Sequence, residues 1–509
     1  MSLPLSIFTT TLAEIFLIIN WIWEGNFNQK WNNLKFRKGA ILVGLIYVIH
    51  LIGMIYTEDL MYGLHDLKIK LPILILPIII ASSPKITEKE LNKLLLLFCA
   101  AVLTGTLVSG AIFFGLVNYP YLDYRDISIF ISHIRMSLMV VLAIFILIYF
   151  LFASESPLKR KFKFIIIPVV LWFVFILLIL KSITGILILF LLSLILSWKY
   201  SGKIKEIAPR FITRVLIITV PLVIASYLSH MTAQYYTMDK IDINSLDKVT
   251  SNGNPYLNDT IDKSIENGNY VYLYLCEKEL KEEWNKKSKL SYDGKDRKGQ
   301  ELRFTLIRYL TSKGFRKDGK GLNKLSRRDI TAIENGIANH IYLNKFSPNS
   351  RIYEIIWELD SYKRGNDPSG HSVSQRITYL KAACNISSKH SIIGVGTGDL
   401  KNEFNSYYKK TNSLIDKRWW NRAHNQYITF FITFGIVGLI LIMTFFILPI
   451  FLEKKWDDYL FMCFAIIGFL SMINEDTLET QIGVSFFMFF YSLLLFGRNG
   501  DLKTNIGQT

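Results

Sequence analysis

Long apolar runs alternate with short polar connections along most of the chain. The runs at 71–81 and 164–180 contain no charged side chain. About 20 consecutive apolar residues are enough for a helix to cross a bilayer. Hydropathy therefore predicts roughly eleven membrane helices, with about ten to twelve as the range. Their approximate ranges are 4–23, 40–56, 70–83, 91–116, 128–152, 163–180, 184–198, 211–229, 425–451, 456–473 and 481–496.

The charge of the short connections predicts how these helices are oriented. Cytoplasmic connections of membrane proteins carry more lysine and arginine than those on the other side. Here the basic residues cluster in alternate connections, which places the N-terminus outside and the C-terminus in the cytoplasm. The N-terminus lacks the features of a cleavable signal peptide, so we expect the first helix to remain as an anchor. The basic connections are 24–39, 84–94, 153–163, 199–210 and 452–458.

The chain is thus predicted to be an all-α polytopic membrane protein with one large, mainly helical loop on the non-cytoplasmic side. The pattern divides it into N-terminal membrane helices (1–229), a loop domain (230–424), C-terminal membrane helices (425–496) and a cytoplasmic tail (497–509). Helical periodicity recurs within the loop, and we find no internal repeat.

Composition agrees with a membrane protein and adds a strong positive charge. Of 509 residues 51% are hydrophobic, and the formal net charge is +17. The basic residues are spread over connections between membrane helices, which argues against nucleic-acid binding. Two explanations remain open. One is the ordinary bias of cytoplasmic connections, and the other is an electropositive cavity for an anionic substrate.

Candidate chemistry lies near the end of the predicted loop. Arg376 stands in "HSVSQRITYLKAA", and His424 follows about 48 residues later in "RAHNQY". Arg376 could be an ordinary surface arginine, and His424 could be an interfacial histidine next to a membrane helix. Asn425 could be the N-cap of that helix.

Between them lies a glycine-rich stretch, "SIIGVGTGDL". It contains Gly394, Gly396 and Gly398. A plain turn would explain it, and no parallel-sheet pattern surrounds it, so it is not a dinucleotide-binding motif. Trp419 and Trp420 precede His424; they could anchor the membrane interface or stack on a sugar.

In this order, the loop arginine, the "GVGTG" turn and "HNQY" at the start of an apolar helix resemble the O-antigen ligase and polymerase superfamily. Its members are bacterial inner-membrane glycosyltransferases with one large periplasmic loop in the second half. The resemblance covers most of the chain and is strongest from about 351 to 496. It implies a periplasmic location for the loop 230–424.

The resemblance also implies a reaction. The glycan donor would be an undecaprenyl diphosphate sugar, and the acceptor would be a hydroxyl of lipid A core, another glycan or a protein. Transfer would invert the anomeric centre without a metal or other cofactor, and the sequence shows no compact metal-ligand cluster. His424 matches the catalytic histidine and Arg376 the loop arginine, and Asn425 and Arg422 flank the histidine as substrate-binding candidates.

These residue types suit that chemistry. A diphosphate leaving group gains negative charge, and a guanidinium binds it through a planar, permanently charged fork. A histidine can accept a proton near neutral pH or bind a phosphate, and both roles remain open for His424.

The sequence departs from the family pattern at a second arginine, expected in an "SRxG"-like motif. The corresponding text is "KSITG", where Ile183 occupies the arginine position. Lys181 or Arg135 could supply the missing charge. A cation in an apolar span is expensive and often functional, although Arg135 could also extend to the interface.

Three acidic residues near the C-terminus have two interpretations. Glu475, Asp476 and Glu479 could orient an arginine or the histidine, or they could reflect the charge bias of an outer connection.

A ligase that transfers glycan to lipid A core is the leading hypothesis. A polymerase or a protein O-oligosaccharyltransferase of the same superfamily remains possible. A transporter of lipid-linked glycans would predict paired repeats, which we do not find, and a sensor would not require Arg376 and His424 in this order.

Overall fold

The computed structural model describes residues 1–121, 123–152, 156–157, 159–238, 245–344 and 347–498. Within these ranges the regular secondary structure is almost entirely helical. Its one hairpin pairs β1 (Ile265–Glu266) with β2 (Asn269–Tyr270). The predicted all-α class is confirmed at this level. The predicted tail lies outside the described residues from 499 onward.

The helices follow the apolar pattern closely, because every one of the eleven predicted segments coincides with a helix. Eight of these helices precede the predicted loop, and α2 is an additional helix within the connection 24–39. In chain order they are α1 (Ile7–Trp23), α2 (Phe27–Phe36), α3 (Lys38–Gly53), α4 (Leu60–Ser82), α5 (Glu88–Phe113), α6 (His133–Phe152), α7 (Ile166–Ile179), α8 (Ile183–Ser201) and α9 (Ile207–Tyr236). The last three are α17 (Gln426–Leu452), α18 (Tyr459–Asn474) and α19 (Gln481–Phe496).

Between α9 and α17 the helices are shorter. They are α10 (Glu277–Lys287), α11 (Leu302–Ser312), α12 (Gly319–Asn323), α13 (Arg327–Glu334), α14 (Pro348–Lys363), α15 (Ser372–Lys389) and α16 (Leu400–Lys410).

Five helices of the described ranges are long and apolar enough to cross a membrane, namely α5, α6, α8, α9 and α17. A sixth span is possible if α1 and α2, bent by 111° at their junction, count as one. Four further apolar helices are shorter, at 10–17 residues. The described ranges thus contain five or six candidate membrane spans, while the total of eleven and the periplasmic position of the loop remain predictions.

The chain forms two compact units. One contains residues 1–217 and 376–509, and the other contains residues 218–375. In the first unit α6 packs against α5, α7, α8 and α18, while α4 packs against α3 and α19. Its core includes the fully buried rings of Phe464, Phe487 and Tyr491.

The second unit has its own small core. Trp284, Leu306, Tyr309 and Leu310 are fully buried there. Burying such large apolar side chains is the main source of stability for a helical unit of this size. The domain boundaries drawn from the sequence, at 229/230 and 424/425, remain a prediction.

Helix α17 is broken at Gly435, whose φ of 64° lies in the left-handed region. The glycine-rich stretch before α16 lies against this break. The backbone N–H groups of Val395 and Gly396 donate to the carbonyls of Ile432 (2.9 Å) and Thr433 (2.9 Å). Backbone groups freed by a helix break must find other partners when they are buried. The stretch therefore supports the break and fixes the first half of α17.

We expect Gly435→Ala to destabilise the first unit. A β-carbon at Gly435 would collide with the carbonyl of Ile392, and alanine at a positive φ adds strain of about 1 kcal/mol or more. The melting temperature of the purified protein in detergent should fall by several degrees. Gly202→Ala is the control, because only one atom, 3.9 Å away, lies near its added β-carbon. Equal effects of both changes would contradict a structural role for the break.

Candidate functional site

A cluster of buried charges joins the connection between α18 and α19 to neighbouring helices of the first unit. Glu475, Asp476 and Glu479 lie on this connection, and all three are buried. Their cationic partners come from other parts of the chain and are Lys70 on α4, Arg135 on α6, Arg376 on α15 and Arg422 just before α17. With Asp66 included, the cluster holds four cations and four carboxylates.

Glu479 is the most heavily coordinated member. One carboxylate oxygen accepts from Lys70 Nζ (3.0 Å) and Arg422 Nη1 (2.7 Å), and the other accepts from Gln426 Nε2 (2.9 Å). Lys70 also binds Asp66, one turn earlier on α4. Burial would raise the pKa of Glu479, but Lys70 and Arg422 outweigh it and hold the pKa well below its usual range.

Two further arginines contact the same connection. Arg376 Nη2 donates to Glu475 Oε1 (2.7 Å). Arg135 Nη2 donates to the backbone carbonyl of Asp476 (2.9 Å). Its other terminal nitrogen, Nη1, is buried and has no hydrogen-bond partner among the described residues. Because an unpaired buried donor is expensive, Arg135 is a group that a bound anion would satisfy.

The two acids beside these arginines are held less firmly as anions. Burial raises the pKa of Glu475 even though Arg376 and Arg135 oppose the shift. Burial also raises the pKa of Asp476, against the opposing effect of Arg422. Of the three acids on the connection, Glu479 is therefore the one whose neighbours favour the anionic form most strongly.

His424 lies directly before α17 in a left-handed backbone conformation, with φ of 50°. The contact with Asn421 indicates which ring nitrogen of His424 can accept a proton. Asn421 Oδ1 accepts the backbone N–H of Arg422 (2.9 Å), so the amide nitrogen is the atom that faces His424 Nε2, at 3.2 Å. That nitrogen donates, so Nε2 carries the lone pair and Nδ1 carries the proton.

The surroundings keep His424 neutral. Burial, followed by the charges of Arg376, Arg422 and Arg135, lowers the pKa of His424 to about 4. A neutral imidazole is the form that can accept a proton. An anion bound to these arginines would cancel part of their repulsion and raise the pKa, which would make His424 a stronger base when the site is occupied.

A pocket of about 220 Å³ opens next to this histidine. It combines aromatic rings, side-chain amides and cations, and no carboxylate lines it. Its lining residues are Tyr62, Leu400, Lys401, Phe404, Asn405, Trp420, Asn421 and Arg422. Rings and amides together suit a sugar, which has apolar faces and hydroxyl edges. Asn421 and Arg422 connect the pocket to His424 and to Glu479.

The structure brings together Arg135, Arg376, Arg422 and His424 in one cluster. Asn425 caps α17, because its side chain accepts from Ile428 N (3.0 Å), and its amide donates to the carbonyl of Ile473 (2.8 Å). Asn425 therefore positions the histidine instead of facing the pocket.

Lys181 lies elsewhere. Its ammonium sits 5.5 Å from the centre of the Tyr124 ring, and within the described ranges it forms no ion pair with the acidic connection. Of the two candidates for the missing family arginine, only Arg135 contacts the cluster.

Gly394, Gly396 and Gly398 are packing positions. A β-carbon at Gly394 would collide with the backbone of Thr433. Gly396 has φ of 97°, and the N–H of Gly398 donates to Thr57 Oγ1 (3.0 Å). The turn holds α17 and the end of α3 together.

Sequence reasoning missed Lys70, Asp66 and Asn421. A signal existed for the first two, because a lysine and an aspartate four residues apart in an apolar helix are a costly pair that needs a reason. Nothing in the sequence distinguished Asn421 from other polar residues before the membrane helix.

No group of three His, Cys, Asp or Glu side chains arranged to hold a metal ion occurs in the part of the chain that the structure describes. The carboxylates of the cluster are bound to lysine and arginine.

Comparison with known proteins finds a family model that matches part of the chain. Residues 335–443, 109 of the 509, match the family model of the O-antigen ligases. This segment is similar to the O-antigen ligase family. The matched segment contains Arg376, the glycine turn and His424, and the match together with the candidate membrane helices indicates a membrane protein. The acidic connection at 475–480 lies beyond the match. No curated protein matches the chain.

We expect Glu479→Gln to destabilise the protein by about 3 kcal/mol, because it leaves the buried Lys70 and the partly buried Arg422 without their shared anion. Glutamine keeps the shape of the side chain, so the loss reports charge. The measurement is the shift in melting temperature of the purified protein. Glu282→Gln, at an exposed position on α10, is the control. Indistinguishable shifts would show that the pairing at Glu479 does not support the fold.

We expect His424 to stay neutral down to about pH 5. Diethylpyrocarbonate modifies only neutral imidazole, so the modification rate at His424, relative to N-acetylhistidine in the same mixture, should rise as pH falls from 7 to 5. Arg376→Gln removes one repelling cation and should shift the midpoint to higher pH. Because the folded pKa is lowered, the unfolded chain binds this proton first, so the stability that neutral His424 contributes should fall as pH falls from about 6.5 to about 4. A midpoint near 6.5 would refute the buried, cation-flanked environment.

Proposed function

We propose that this chain is a membrane glycosyltransferase of the O-antigen ligase superfamily. It would transfer a glycan from undecaprenyl diphosphate to an acceptor hydroxyl at the periplasmic face of the inner membrane, with inversion and without a metal. Lipid A core is the acceptor class we put first. The observation that carries the proposal is the set of three arginines around a neutral histidine, one of which, Arg135, has a buried unpaired nitrogen.

The arginines would bind the diphosphate of the donor. The cluster has as many carboxylates as cations, so an incoming diphosphate would have to exchange partners instead of filling a positive cavity. Arg376 would leave Glu475, whose pKa is raised, and Arg135 would use its unpaired Nη1. Glu479 would keep Lys70 and Arg422 in place throughout, because it is the most firmly held anion.

His424 would act as the general base. The acceptor hydroxyl would replace the Asn421 amide at Nε2 and transfer its proton to that nitrogen. Its oxygen would form the new bond to the anomeric carbon of the donor sugar as the bond from that carbon to the phosphate oxygen breaks. The electron pair would stay on undecaprenyl diphosphate, where guanidinium groups stabilise the charge.

The pocket beside His424 would hold the acceptor sugar. Trp420 and Tyr62 offer rings for stacking, and Asn405 offers an amide for hydroxyl groups. Lys401 and the absence of a lining carboxylate favour an acceptor with a negative substituent, such as a phosphate or a uronic acid.

The test is glycan transfer in cells that lack this gene and carry wild-type or variant protein at equal membrane abundance. We expect His424→Ala and Arg376→Ala to leave the acceptor unmodified and the lipid-linked glycan accumulated, with transfer reduced by about a hundredfold or more. His390→Ala and Arg418→Ala are matched controls at exposed positions, and both should support normal transfer.

The molecule that remains unmodified distinguishes the possible functions. Unmodified lipid A core identifies a ligase, short glycan chains identify a polymerase, and an unmodified exported protein identifies a protein O-oligosaccharyltransferase. With purified protein, Trp420→Ala should raise the KM for the acceptor much more than it lowers kcat. Full activity of both site variants would refute the proposal. Glycan trapped on the cytoplasmic side would indicate a transporter.

A further inference from the structure

The second unit, residues 218–375, contains a cavity of its own. Its volume is about 720 Å³, within the range of about 300–1,000 Å³ that is usual for small-ligand sites. The end of α9, the β-hairpin turn and the segment leading into α14 surround it. Its lining residues are Met231, Gln234, Tyr235, Asn267, Arg328, His340, Ile341, Leu343, Asn344, Ser347, Asn349 and Tyr353.

The polar part of this lining is unusually rich in groups that both donate and accept hydrogen bonds. Four side-chain amides contribute, together with an imidazole and three hydroxyls, and no carboxylate is among the lining residues. A sugar hydroxyl also donates and accepts, so an amide can satisfy it in either role. This composition fits a ligand with many hydroxyl groups better than a metal or a simple cation.

Some of these groups hold the wall of the cavity. Asn267 donates to the carbonyl of Ser312 (2.8 Å), and Asn349 accepts from the hydroxyl of Tyr227. His340 places Nδ1 3.2 Å from Ser312 Oγ. These contacts fix the lining before any ligand arrives, which lowers the entropic cost of binding.

Other side chains that line the cavity are available to bind a ligand. Among the described residues, the side-chain amides of Gln234 and Asn344 have no hydrogen-bond partner. The guanidinium of Arg328 is exposed at the edge and forms no ion pair with a described carboxylate. The available groups are thus two amides and one cation. The amides can form hydrogen bonds with hydroxyl or amide substituents of a ligand, and the cation can bind one negative charge.

The remaining lining is apolar. Met231, Ile341 and Leu343 provide aliphatic surface, and the rings of Tyr235 and Tyr353 lie 5.0 Å apart at the base. Sugar rings have apolar C–H faces as well as polar edges, so a mixed lining of this kind suits them.

We propose that this cavity is an oligosaccharide-binding site with a preference for acidic sugars. Five of the twelve lining residues, from Met231 to Arg328, precede the segment that matches the O-antigen ligase family, and the other seven lie within it. Binding here requires no transfer, and the proposal stands or falls independently of the reaction at His424.

The test is binding of soluble trisaccharides to the full-length protein in nanodiscs, followed by saturation-transfer NMR and calorimetry. Trigalacturonic acid is the acidic probe, chitotriose is the neutral probe, and trilysine is a peptide probe. We expect trigalacturonic acid to bind most tightly. The double variant Gln234→Ala/Asn344→Ala should weaken its binding about tenfold or more, and Arg328→Gln should remove the preference for the acidic probe.

Two controls separate this site from the cluster around His424. Gln300→Ala/Asn323→Ala removes two amides from the same unit outside the cavity and should leave binding unchanged. Trp420→Ala alters the pocket beside His424, and the effect of the Gln234/Asn344 double variant should persist in that background. Absence of saccharide binding, an unchanged affinity in the double variant, or tighter binding of trilysine would each overturn the proposal.

Discussion

The buried carboxylate of Glu479 is the constraint on which the rest of the site depends. A charge removed from water is stable only with close partners of opposite sign, and Glu479 has Lys70 and Arg422 within 3.0 Å. These partners belong to α4 and to the residues before α17. The pairing therefore fixes the connection between α18 and α19 against both, and it places Arg422 and its neighbour His424 at a defined position.

Around that firm centre the other charges are less strongly held. Glu475 and Asp476 are buried acids with raised pKa values, each next to an arginine. In the proposed reaction, Glu479 would keep the shape of the site while Glu475 and Asp476 release their arginines to the substrate. The neutral state of His424 is a consequence of the same arrangement, because burial and nearby arginines both oppose its protonation.

The break in α17 connects this chemistry to the fold. Gly435 allows the helix to change direction, and the glycine turn at 394–398 supplies backbone donors to the carbonyls that the break exposes. The first half of α17 is thereby held by backbone contacts, and Asn425 caps its start. A histidine placed on such a fixed helix end keeps its orientation relative to the arginines, which general acid–base chemistry requires.

The sequence alone determined the helical class, because apolar runs of this length can only satisfy their backbone groups as helices in a membrane. It also pointed to Arg376 and His424, because their residue types and order resemble one family. The tertiary structure decided which residues accompany them. Arg135 contacts the cluster whereas Lys181 lies beside Tyr124. The acidic connection forms ion pairs with Arg376 and Arg422. The tertiary structure also brought in Lys70, Asp66 and Asn421 from positions that no local pattern links to His424. Lys70 and Glu479 are more than 400 residues apart in the sequence, and their charges pair because of how the helices pack. The periodicity of one helix does not indicate which other helix packs against it.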